Sequence, residues 1–139
     1  MGERVPVIVV LDDFDQARFV VRAVLERDGY SVLEAKNGTE AVDIFERSGD
    51  TIDLLISDVL LAGAYGTEIA KHISALRPQM PILFISGYPM EELVNQGLME
   101  SDESSAKIAF LRKPFDPGEL LGKVRDLISA PKSRGSSGG

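Results

Sequence analysis

Four apolar runs in this chain break off at residues that carry a charge or a hydroxyl. Val5 to Leu11 stops at Asp12-Asp13, Ile52 to Ile56 at Ser57-Asp58, Ile82 to Ile85 at Ser86, and Ile108 to Leu111 at Arg112-Lys113. Val5 to Leu11, Leu54 to Ile56 and Ile82 to Ile85 are continuous rather than alternating, as expected of strands covered by helices on both faces, and these three are predicted to be the central strands. If such strands are parallel, their carboxyl ends share one edge of the sheet, and open α/β folds place their sites just beyond that edge. Three carboxylates, a hydroxyl and an ammonium then converge. That set suits a divalent cation and a phosphoryl group.

The stretches between the runs read as helices. Ala17, Val21, Val24, Leu25 and Asp28 follow an i, i+4, i+7, i+8 spacing from about Asp15, with Gly29 placed as a stop. Asn37 to Ser48 repeats the pattern with Ala41, Ile44 and Phe45 inward, Asn37 or Thr39 as N-cap and Gly49 as terminator. Further helices are predicted over Thr67 to Leu76, Met90 to Leu98 and Pro117 to Ile128. Arg77-Pro78 ends the first of these, and proline suits the first turn of the last. Tyr30 to Glu34 alternates between turn signals, as a strand nearer an edge does. Strand and helix thus alternate five times, which implies right-handed crossovers and a parallel sheet between two helical layers.

At 139 residues the chain is one domain by size. No stretch approaches the roughly 20 apolar residues of a membrane span and no signal-peptide pattern is present, so a cytoplasmic location and no membrane partner are expected. With no cysteine, any metal must be held by oxygen ligands. A formal charge of −7 argues against direct contact with nucleic acid. His72, the sole histidine, has no partners for a catalytic or metal role and reads as a surface or packing residue. Met99 to Lys107 is acidic and without period, a loop. Residues 130–139 have flexible-linker composition and are set apart from a domain spanning 1–129.

Four segments match a family. Ile8-Val-Val-Leu-Asp-Asp13, Asp53-Leu-Leu-Ile-Ser-Asp58, Ile82-Leu-Phe-Ile-Ser-Gly-Tyr88 and Ala109-Phe-Leu-Arg-Lys-Pro-Phe115 resemble, in order, the signatures of receiver domains of two-component response regulators. The resemblance implies a flavodoxin-like, doubly wound five-stranded sheet in the order 2-1-3-4-5 with five helices. It implies that Asp58 accepts a phosphoryl group from a phosphohistidine on a sensor histidine kinase or phosphotransfer domain. The charge is consistent with this: a cluster of carboxylates repels an anionic donor unless positive charge is imported. Mg²⁺ or Mn²⁺ is the implied cofactor, with Asp13 and Asp58 as direct ligands, Asp12 acting through water and the Leu60 backbone carbonyl completing the set. Lys113 would pair first with Asp58 and later with a phosphoryl oxygen. Ser86 would donate to another phosphoryl oxygen, and Phe110 would follow it inward as the aromatic switch. Lys113-Pro114 corresponds to a cis peptide. An output partner of unknown kind and a homodimer complete the expectations. Beyond self-phosphorylation and autodephosphorylation no turnover is expected.

The chain departs from the family pattern after the phosphoacceptor, reading Leu61-Ala62-Gly63 where most members read Met-Pro-Gly. Loss of that proline loosens the loop entropically and removes no chemical group. The interval from Ser86 to Lys113 is several residues long for the family, with the surplus assigned to the acidic loop. By the resemblance, Leu60 and Tyr88 occupy positions that control water access to the phosphoryl group in this family, and neither is a carboxylate or amide able to orient an attacking water, so slow self-dephosphorylation is expected. Ile85-Ser-Gly-Tyr-Pro89 resembles receivers attached to hybrid sensor histidine kinases, so the chain is either a single-domain regulator or part of such a protein. Two rivals stand beside this reading. One is a pseudo-receiver that binds partners without phosphorylation, although the full set of acids and the lysine is present. The other is a haloacid-dehalogenase-like phosphatase using Asp13 as nucleophile and Asp15 as acid-base, although Ala17 departs from its pattern and no late acidic pair follows.

Overall fold

Side chains along a strand point alternately to opposite faces, and in this chain both sets are apolar. In β1 (Val7–Leu11), Val9 and Leu11 enter one core while Ile8 and Val10 enter the other. The same division holds for Leu55 against Leu54 and Ile56 in β3 (Leu54–Asp58), and for Ile82 and Phe84 against Leu83 and Ile85 in β4 (Ile82–Ser86). With β2 (Ser31–Ala35) and β5 (Ile108–Arg112) these strands form one parallel sheet, hydrogen-bonded in the order β2-β1-β3-β4-β5. The computed structural model describes residues 4–99 and 107–128. Most of the acidic loop and the linker-like residues 130–139 lie outside them.

Helices cover both faces. Val21 and Leu25 of α1 (Asp15–Arg27) and Leu120 and Val124 of α5 (Pro117–Leu127) fill the core beneath Ile8 and Val10. Ala41 and Phe45 of α2 (Gly38–Ser48), Ala70 and Ile73 of α3 (Gly66–Leu76) and Leu93 of α4 (Met90–Asn95) fill the other. This is the three-layer, flavodoxin-like arrangement. The runs ending at Leu11, Ile56 and Ile85 are the three central strands, the alternating β2 lies at one edge and the fourth run, Ile108 to Leu111, lies at the other.

Several boundaries differ from the sequence reading. β1 starts at Val7 rather than Val5, which is exposed ahead of Pro6. The α2 cap is Asn37, whose Oδ1 accepts the Glu40 N–H at 2.8 Å; Gly49 does not stop the chain turning but opens a 3₁₀ turn over Gly49–Thr51. α3 begins one residue early, at Gly66. The fourth helix ends at Asn95, not Leu98. Gly97 takes φ 76°, its N–H returns to Val94 O at 3.0 Å and the Leu98 N–H to Leu93 O at 2.8 Å, which closes the helix with a left-handed cap. α5 ends at Leu127 rather than Ile128 and starts with a reciprocal cap between Asp116 and Glu119. The sequence also gave no sign of a small antiparallel hairpin, Leu60–Leu61 with Ala64–Tyr65.

Candidate functional site

The sheet's hydrogen bonding continues just past the strands and delivers the polar residues to one edge. The Asp12 N–H reaches Ala35 O at 3.1 Å, the Val59 N–H reaches Ile85 O at 2.9 Å and the Lys113 N–H reaches Ser86 O at 2.8 Å. Asp12, Asp13, Asp58, Ser86 and Lys113 therefore converge at the carboxyl end of the sheet, where a topological switch point lies between β1 and β3. Carboxylate oxygens of Asp12, Asp13 and Asp58 lie within 4.8 Å of one another. Lys113 Nζ is 3.5 Å from Asp58 Oδ1, and the Lys113-Pro114 peptide is cis.

Asp58 is only 9% exposed. Its burial, reinforced by the Asp12 charge and incompletely offset by Lys113, pushes its carboxyl up to about 7. Each of the other acids is tied down by an amide. Asp12 Oδ1 accepts the Phe14 N–H at 2.9 Å, which turns the chain into α1. Asp13 Oδ2 accepts the Ala62 N–H at 3.0 Å. The departure from proline at position 62 thus adds a donor that an imino acid lacks, a consequence missed in the sequence reading.

Ser86 is buried, and its Oγ accepts the Tyr88 N–H at 3.0 Å. Phe110 pairs with Phe84 across the sheet and lines, with Met90 and Leu98, a cavity of about 790 Å³ among the described residues. Leu60 and Tyr88 are 37% and 49% exposed. Asp15 stands apart from the three clustered acids: its side chain is 82% exposed and pairs with Arg18 at 2.7 Å. An acid-base role alongside Asp13 finds no support in that placement.

Three supporting residues escaped the sequence reading. Arg18 donates to the Asp12 carbonyl at 2.6 Å and to Glu34 Oε1 at 2.7 Å, bracing the turn after β1. Arg18 and Arg22 together hold the Glu34 carboxyl below its ordinary value. Ser57 Oγ donates to the Asp58 carbonyl at 2.8 Å. Gly66 packs so closely there that a Cβ would overlap the Asp58 carbonyl oxygen and stand 2.6 Å from Ser57 Oγ.

Comparison with known proteins agrees with this arrangement. Residues 8–125 match the response regulator receiver domain. The response regulator receiver protein CpdR of Brucella abortus is 29% identical over 124 residues, covering 89% of this chain and 97% of that protein. The crystal structure of the receiver domain from the hybrid histidine kinase CckA is 36% identical, with a TM-score of 0.71 over 88% of this chain and 99% of that one. The response regulator protein TrrA of Thermotoga maritima, in complex with Mg(2+)-BeF, is 29% identical, with a TM-score of 0.73 over 88% and 99% of the two chains. Other curated relatives are longer: the chain spans 12% of the sensor kinase CckA of Brucella abortus and 50% of a Bacillus subtilis transcriptional regulatory protein. Among the described residues no helix is long and apolar enough to cross a membrane. With its strand order, its acidic edge and this match over most of its length, the chain belongs to the response regulator receiver domains, the phosphoacceptor switches of two-component systems.

Proposed function

We propose that Asp58 is the phosphoacceptor and that the reaction requires Mg²⁺ or Mn²⁺ held by Asp13 and Asp58 directly, Asp12 through water and the Leu60 carbonyl. The observation that carries this reading is the convergence of Asp12, Asp13 and Asp58 beside Lys113. The donor set fits the ion. It is made of oxygen alone, and burial together with the neighbouring Asp12 charge raises the Asp58 carboxyl despite Lys113, so the cluster lacks positive charge. A divalent cation bound there supplies the positive charge that an anionic donor needs for its approach. That the similar protein TrrA forms a complex with Mg(2+)-BeF supports a Mg²⁺-dependent site in this chain.

In the transfer, an ionised Asp58 oxygen attacks phosphorus in line with the leaving nitrogen. The new O–P bond forms as the P–N bond of a phosphohistidine breaks, and the electron pair returns to the imidazole. Receiver domains act with histidine kinases or phosphotransfer partners. Lys113 pairs with Asp58 beforehand, favouring its ionised form, and then takes a phosphoryl oxygen as its partner. The Ser86 hydroxyl, now an acceptor for the Tyr88 N–H, turns its proton toward a second phosphoryl oxygen. Phe110 follows into the space beside β4, and an output protein or a second copy of this chain reads the altered face.

Intact mass after incubation with a small-molecule phosphodonor tests the assignment, with and without Mg²⁺, on the wild type and Asp58→Asn. A cation-dependent gain of one phosphoryl group, absent from the variant, is expected. No gain under any condition would overturn the proposal in favour of a partner-binding module that is never phosphorylated.

A further inference from the structure

The turn after β3 touches the acidic cluster through a single amide. Leu61 pairs with Ala64, leaving Ala62 and Gly63 as a two-residue turn. Gly63 has φ 76°, whereas no residue other than glycine has positive φ among those described. A negative φ followed by a positive one is the pattern of a type II turn, whose first central position accepts proline. The backbone therefore does not demand alanine at 62. What alanine provides that proline does not is the N–H, and that N–H lies 3.0 Å from Asp13 Oδ2, a residue 49 positions away in the chain.

We propose that the Ala62 amide is a positioning donor for Asp13 and that residue 62 thereby sets the affinity of this chain for its divalent cation. The inference rests on the reading of Asp13 as a metal ligand. Mg²⁺ takes one oxygen from a monodentate carboxylate at short, strictly octahedral distances. An exposed aspartate loses rotational freedom about its side-chain torsions when it binds. An amide already holding Oδ2 removes that freedom in advance and leaves the other oxygen for the cation. Hydrogen bonds of this kind to ligating groups typically change metal affinity by about 10–100-fold. The same bond ties the hairpin, which carries the Leu60 carbonyl, to the end of β1.

Calorimetric titration with Mg²⁺ on the wild type, Ala62→Pro, Ala62→Gly and Asp13→Ala tests this, with melting temperature in the absence of metal as the check on folding. Ala62→Pro is expected to weaken binding by about tenfold, Ala62→Gly to leave it close to wild type because the amide remains, and Asp13→Ala to abolish it. Wild-type affinity in Ala62→Pro beside lost binding in Asp13→Ala would overturn the inference alone. Equal weakening in the glycine and proline variants would overturn it as well. Unchanged binding in Asp13→Ala would overturn the metal reading itself. A measurement that does not depend on the proline variant is the Ala62 amide proton resonance without metal. It is expected to move upfield in Asp13→Ala as its acceptor is lost, and an unmoved resonance overturns the inference.

Discussion

Asp58 is an acid that its own fold discourages from ionising. Its ordinary value is 3.8 and its folded value about 7, so between these limits the folded protein holds a proton that the unfolded chain has released. The unfolding free energy then falls as pH rises across that window. With about 1.4 kcal/mol per pH unit, the stability lost by pH 8 is at most about 4 kcal/mol. Asp58→Asn cannot titrate. Without divalent cation the variant is expected to be more stable than the wild type at pH 8, by on the order of 2–4 kcal/mol, with the gap closing toward pH 4. Urea denaturation at the two pH values measures this, and a gap independent of pH would refute the assignment of the strain to this carboxyl. Asp12, Asp13, Asp58, Ser86 and Lys113 could be found in the sequence because each follows an apolar run. The Ala62 amide and the Arg18 brace could not, because a backbone atom has no letter of its own and the Arg18–Glu34 contact exists only after β2 has paired with β1.

At the scale of elements, two glycines do different work. Gly97 has open space around it and is held by its torsion alone, φ 76°. Gly66 has no room for a side chain, because α3 begins directly against the Asp58 carbonyl and Ser57. Gly97→Ala is expected to cost about 1–2 kcal/mol. Gly66→Ala should cost about 3 kcal/mol or more, as backbone and a fully buried hydroxyl must move. Chemical denaturation of both variants checks the order, and a larger loss for Gly97→Ala would contradict the packing described. The existence of the five sheet strands and five helices was legible from their apolar patterns, but their ends were less so. The apolar spacing of the fourth helix runs on through Leu98, which is drawn back by its bond to Leu93 O, so side-chain pattern persists where helical backbone has stopped. The hairpin after β3 is two residues per strand, too short for any alternation to show.

Across the whole molecule, the sheet separates two cores and joins at one edge everything the chemistry uses. The strand order followed from the resemblance, whereas the doubly covered central strands followed from the apolar pattern: a run apolar at every position has no face to offer water. The site is built from residues at or just beyond the strand ends, and their amides form the outermost rungs of the ladder, Asp12 to Ala35, Val59 to Ile85 and Lys113 to Ser86. Rungs at the opposite edge, Ser31 to Pro6 and Asp53 to Val7, are made of the same bonds away from the acidic cluster, and the Asp53 carboxylate there is already paired with Arg4. Hydrogen–deuterium exchange should therefore slow at Asp12, Val59 and Lys113 when Mg²⁺ or a phosphoryl group is added, and stay unchanged at Ser31 and Asp53. Equal slowing at both edges would mean that the whole domain had stiffened. The outermost rungs make the sheet a gauge with its own internal zero, on which the state of the switch can be read from the fraying of three amides.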